Sequence, residues 1–117
     1  MTLDNAIDFD HLEQYVAGDD ALRVEILEIF SEQVGVLMDQ FDVFQADEEW
    51  RATAHTLKGA SRGVGAWALG SACEDAEKLV ADAPAKQEAR ATILVTLRFL
   101  AAAALAEAER ASLAEAS

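Results

Sequence analysis

His55 sits in "RATAHTLKGASRGVGA", with Arg51 four residues before it, Lys58 three after, and Arg62 four beyond that. Residues at these steps neighbour one another on a helix surface. Three of the nine lysines and arginines therefore surround one of two histidines, in a chain of formal net charge −13. Like charges so placed repel by ~0.2–0.5 kcal/mol per pair, so the stripe suits an anion better than it suits the helix. Gly59 and Gly63 follow at four-residue steps on the same side, where each weakens a helix by ~1 kcal/mol relative to alanine. A closely packed neighbouring helix is one reading of them. The favoured one is a flat patch that lets another protein approach His55.

A neutral imidazole is a competent nucleophile. General acid–base work asks for an orienting carboxylate or a nucleophile, and neither stands beside His55 in sequence. A phosphoryl group carried on His55 would be stabilised by Lys58, since that chemistry is mostly positioning and charge neutralisation.

Helices must present these residues. The chain has 117 residues, 52% of them hydrophobic, and one proline, which predicts a single all-α domain over residues 1–117. Phe9, Leu12 and Val16 mark a short first helix stopped by Gly18, and Asp19 or Asp20 can cap the next. Leu22, Ile26, Ile29, Phe30, Leu37, Phe41 and Phe44 form the apolar stripe of that second helix. Asp47 is placed to cap a third helix whose seam is Trp50, Ala54, Leu57, Ser61 and Val64, with Gly65 just past its end.

A fourth helix is expected over 67–82, with Leu69, Ala72, Cys73, Ala76 and Val80 inward. Pro84 suits the first turn of a last helix lined by Ile93, Leu97, Leu100 and Ala104. The pattern predicts an antiparallel four-helix bundle with the first helix as a short N-terminal lid. Trp50 and Trp67 read as core or rim, Cys73 as a small core residue, His11 as a surface or lid histidine, and "LAEAERASLAEAS" as a solvated helix end.

The acidic balance argues against nucleic acid and an anionic membrane as partners. Two distant histidines and one cysteine offer no metal-ligand spacing. No run of about 18 apolar residues is read, and the acidic start does not resemble a signal peptide. A soluble cytoplasmic protein is expected.

The run His55-Thr56-Leu57-Lys58-Gly59-Ala60-Ser61, followed by Gly65 and later by "CEDAEKL", resembles the histidine-containing phosphotransfer (HPt) domains of multistep phosphorelays. "HLEQYVAGDDALRVEILEIF" fits the same pattern, so the resemblance spans most of the chain. It implies a four-helix bundle whose exposed histidine passes a phosphoryl group between receiver aspartates, or from a sensor kinase, hybrid kinases included, to a receiver. His55 would be the acceptor, Lys58 the stabilising cation and Gly59 the small residue admitting the receiver. Ser61 and Gly65 would support the helix and its turn.

Arg62, Gly63 and Arg51 join the partner-binding face on spacing alone. Glu77 takes the position where many relatives carry glutamine; an acid there could orient the ring but would repel a phosphate. The resemblance implies a stand-alone carrier with no cofactor of its own, the magnesium coming from the receiver. A monomer is expected because the bundle can bury its own stripes, with dimerisation through the alanine-rich last helix as the alternative. Histidine-kinase dimerisation domains differ, placing an acid directly after the histidine and a proline soon after, where this chain has Thr56 and Gly59-Ala60-Ser61. The other readings are a non-phosphorylated adaptor that binds receivers, and a phosphohistidine phosphatase or kinase fragment, which needs a second catalytic group beside His55.

Overall fold

Side chains and glycines place the boundaries of the first two helices. The computed structural model describes residues 6–116, in which five α-helices and no strands occur: α1 (Phe9–Val16), α2 (Asp20–Gln40), α3 (Asp47–Gly63), α4 (Trp67–Glu77) and α5 (Lys86–Ala116). Asp8 caps α1 by accepting from the His11 N–H, and Asp19 caps α2 by accepting from the Leu22 N–H at 3.0 Å. Between them Ala17 and Gly18 turn the chain in left-handed conformations, the conformation that favours glycine after a helix.

α2 packs against α3 and α5, and α4 against the same two helices, so the four longer helices close on one another while α1 packs on α2. Leu27, Phe30, Val34 and Leu37 of α2 meet Trp50, Ala54, Leu57 and Ser61 of α3 in a common core. From α4 come Leu69, Ala72, Cys73 and Ala76, and from α5 Leu94, Leu97, Ala101, Ala104 and Ala108. Fully burying one Leu- or Phe-sized side chain is worth ~1.5–3 kcal/mol, so this shared seam dominates the stability. Burial pushes the Cys73 thiol up to about 12, which leaves it a core residue and a poor nucleophile.

The α3 seam is as its spacing predicts, but several other expectations are corrected. Leu22 and Ile29 are exposed because the α2 stripe is wider than the surface α3 and α5 can cover, and Phe44 is exposed because α2 ends at Gln40, before it. Asp47 does not cap α3. It is the first helical residue, and its carboxylate instead accepts from the Ala81 N–H, Lys86 Nζ and Arg90 Nη2 at 2.8–2.9 Å. α4 ends at Glu77, five residues short of Asp82. Beyond it the Leu79 carbonyl accepts from Arg90 and the Ala81 N–H donates to Asp47, tertiary partners that replace helical ones. α5 begins at Lys86, after Pro84, and it buries Leu94 and Ala101 more fully than Ile93 and Leu100.

The C-terminal tail is not merely solvated. Glu107 is buried and its carboxylate accepts from the N–H groups of Ala6 and Ile7, fastening the N-terminal segment to α5; Ser117 lies outside the described residues. Lys86–Ala114 is also long and apolar enough, by length and composition, to cross a membrane, contrary to the sequence expectation. Its many alanines raise the hydropathy, and a third of the apolar window is spent inside the bundle. The bundle does not bury every stripe: Val36, Val95 and Phe99 remain exposed.

Asp47 also dictates a pH response. Hydrogen bonds from Lys86 and the Ala81 N–H, together with the nearby cations, hold its carboxyl below the ordinary 3.8. A carboxyl with a lowered folded value stabilises the fold above its unfolded value, and that contribution disappears as pH falls through the folded value. Tm should therefore fall below about pH 4. Asp47→Asn should show a lower Tm at neutral pH and a flatter acid slope; parallel Tm curves for both proteins would contradict this role.

Candidate functional site

α3 delivers the histidine because its buried seam fixes which face looks outward. Trp50, Ala54, Leu57 and Ser61 are completely buried, so the residue after Ala54 points to solvent, and the His55 side chain is 71% exposed. Ser61 donates to the Leu57 carbonyl at 2.7 Å inside the helix, and Trp50 donates from its indole N–H to the Ala76 carbonyl at 2.7 Å, locking α3 to α4.

That locking brings a carboxylate to the histidine. Glu77 Oε1 lies 3.1 Å from His55 Nδ1, and Lys58 Nζ lies 3.0 Å from Oε1 and 3.1 Å from Oε2. The Glu77 and Lys58 side chains are only 18% and 16% exposed, so the pair forms the floor from which the imidazole rises. Burial alone would raise the Glu77 carboxyl, but the hydrogen bonds from Lys58 and His55 outweigh it and hold it below the ordinary 4.5. An ionised carboxylate can only accept, so in the neutral ring His55 Nδ1 carries the proton and Nε2 the lone pair. No orienting carboxylate stands next to His55 in sequence, and it was the family resemblance, not spacing, that put Glu77 near the ring. The fold supplies one from 22 residues away.

The other cations separate. Arg51 is exposed and, with Glu48, Ala52 and Glu77, lines the hollow around His55. Arg62 leans across to α4, pairing with Glu74 at 2.9 Å with its stem against Gly70, whose absent Cβ would meet it at 3.0 Å. Gly59 and Gly63 are exposed, and a Cβ built on either meets nothing within 4 Å. Among the described residues no neighbouring helix packs there, so the surface beside His55 is flat and open. Next to it an apolar groove runs between α2 and α3, walled by Ile26, Ile29 and Phe30 on one side and Ala60 and Gly63 on the other.

The turn that ends α3 is itself braced. Gly65 adopts φ +82° and its carbonyl accepts from the Asp8 N–H at 2.9 Å. The Trp67 indole donates to the Asp8 carboxylate at 3.0 Å, and the His11 ring meets Trp67 and Tyr15 edge-on. His11 is thus a packing residue of the α1 junction. Sequence reasoning missed Arg90 and Glu107, since a charged residue in a helical pattern reads as solvent-facing; Arg90 falling on the same helical face as Leu94, Leu97 and Ala101 is the signal that marks it as buried.

Compared with models of protein families, residues 25–112 match the Hpt domain. Neither the curated proteins nor the solved structures give a significant match.

Proposed function

Because the chain belongs to the Hpt domain family, whose members carry phosphoryl groups on histidine in two-component phosphorelays, we propose that His55 is its phosphoryl acceptor. The observation that carries this reading is the exposed imidazole whose Nδ1 is engaged by Glu77, leaving the lone pair on Nε2. Nε2 would attack the phosphorus of a receiver's aspartyl phosphate, or of a kinase-borne phosphohistidine, and later yield the group to a second receiver. Lys58 would neutralise charge on the transferred group, and Arg51 would add to the positive field at the rim. Magnesium and most of the remaining apparatus belong to the receiver.

The open surface at Gly59 and Gly63, with the apolar groove beside it, supports docking of a receiver domain against α3 and the adjoining edge of α2. Ser61 and Gly65 act indirectly, by holding the helix and its turn, and Arg62 borders the surface. We read the bundle as a cytoplasmic monomer, its four longer helices antiparallel and α1 a lid over one end. Glu77 orients the ring and is not a water-activating base, because both of its oxygens are engaged by His55 and Lys58.

The test is transfer from a phosphorylated receiver to wild type and to His55→Gln. Label should appear on wild type alone, and be lost in acid but kept in alkali. Lys58→Ala should keep the fold and slow transfer by about tenfold, and Gly59→Glu should do so through docking, by inserting bulk and charge into the patch. Normal kinetics in both variants would remove the proposed site. No label from a panel of receivers that nevertheless bind would establish the adaptor reading instead.

A further inference from the structure

An imidazole that bonds phosphorus through Nε2 without losing a proton becomes a phosphoimidazolium, its proton still on Nδ1. That cation is a reactive donor, because the group that departs is neutral imidazole. If Nδ1 loses its proton, the group that must depart is imidazolate, a far more basic species, and the phosphoryl group becomes inert. Whatever faces Nδ1 therefore decides how readily the phosphorylated state gives up its cargo.

Here that group is a carboxylate. Glu77 Oε1 lies 3.1 Å from Nδ1. A neighbouring anion favours a protonated ring electrostatically, whereas a neutral amide in the same place would offer a hydrogen bond without the charge. The other charged groups around the ring come from α3: Glu48 and Arg51 on the rim of the hollow, and Lys58, which shares Glu77. No α2 residue lines that hollow. Lys58 opposes the effect of Glu77 on the ring while keeping the carboxyl ionised, as its lowered value reflects.

We propose that Glu77 is a positioning residue that retains the proton on His55 Nδ1 throughout the transfer cycle, making the phosphorylated protein a labile, donor-biased intermediate instead of a long-lived store. This rests on His55 being the acceptor. In the forward step the Nε2 lone pair forms the N–P bond, the P–O bond of the donor aspartyl phosphate breaks, and its electron pair leaves on the carboxylate. In the return step a receiver carboxylate oxygen bonds phosphorus, the P–N bond breaks, and its pair returns to Nε2. No proton is exchanged in either direction.

Potassium phosphoramidate tests this without a receiver: Nε2 displaces ammonia from phosphorus, leaving the same phosphohistidine. The full chain and Glu77→Gln are phosphorylated, the donor is removed, and loss of phosphohistidine is followed by phosphorus NMR across pH, with nitrogen NMR reporting the Nδ1 proton. In Glu77→Gln the midpoint of the decay–pH curve should fall by about one unit, so that at mildly alkaline pH the phosphohistidine persists about tenfold longer. Glu77→Ala, which removes the carboxylate, should lower the midpoint likewise and decides the matter should Glu77→Gln fail to fold, while Lys58→Met should move it the opposite way. A structural role alone would give no opposed shifts.

Equal midpoints in wild type and Glu77→Gln would overturn the proposal and leave the acceptor role of His55 standing. Wild-type protein that forms no phosphohistidine at all would overturn both.

Discussion

Arg90→Leu is expected to be the most damaging single substitution outside the apolar seam, lowering stability by about 3–5 kcal/mol and Tm by about 15 °C. The guanidinium is 1% exposed and uses its fork on three segments at once. It donates to the Leu79 carbonyl after α4, to the Val43 and Gln45 carbonyls between α2 and α3, and to Asp47 at the start of α3, all within 2.8–3.1 Å. Its plane also lies 4.6 Å over the Trp50 ring, an attraction that strengthens as water is excluded. Leucine fills part of the space but deprives three carbonyls of this donor and Asp47 of one of its three, and a buried polar group left unpaired costs ~1–3 kcal/mol. Arg90→Lys should recover only part of the loss, because one ammonium cannot span the same four acceptors. Thermal unfolding measures both; Arg90→Leu within about 1 kcal/mol of wild type would mean that the two loops are held by other contacts.

Gly65→Ala should have the second largest effect, and its contrast with Gly59→Ala is the sharper test. At Gly65 the backbone has φ +82°, and an added Cβ would stand 2.8 Å from both the Cβ and the carbonyl oxygen of Asp8. The left-handed conformation alone costs a non-glycine residue ~1–2 kcal/mol. Relieving the clash must also stretch the hydrogen bond from the Asp8 N–H to the Gly65 carbonyl, worth ~1 kcal/mol. A total of about 2–4 kcal/mol is expected. Amide exchange should rise throughout α1, because Asp8 caps that helix and also holds Trp67.

At Gly59 the same extra methyl meets nothing within 4 Å, so alanine should stabilise α3 by ~0.5–1 kcal/mol. Opposite signs for one substitution at two glycines of one motif would separate a turn requirement from an open surface. Equal destabilisation at both would mean that Gly59 is packed against a neighbour.

Those two glycines also mark how far local pattern reaches. By itself the sequence determined the helical class, the α3 seam from Trp50 to Val64, the outward face carrying His55, and the turn at Gly65. Each follows from a period of 3.6 residues or a local φ requirement, both written in consecutive residues. The same logic put Lys58 beside His55, three residues on.

What lies across the bundle was decided only by tertiary structure. The contact of His55 with Glu77 (which resemblance, not spacing, had suggested), the insertion of Arg90 among three segments, the diversion of Asp47 from cap to bridge and the burial of Glu107 against Ala6 and Ile7 all join residues distant in sequence. A charge in a helical pattern carries no mark of whether a distant donor or acceptor will meet it. Its burial becomes favourable only once the folded chain supplies the partner that offsets desolvation. The identity of the nucleophile was therefore local information, whereas the carboxylate that orients it came from packing α4 on α3.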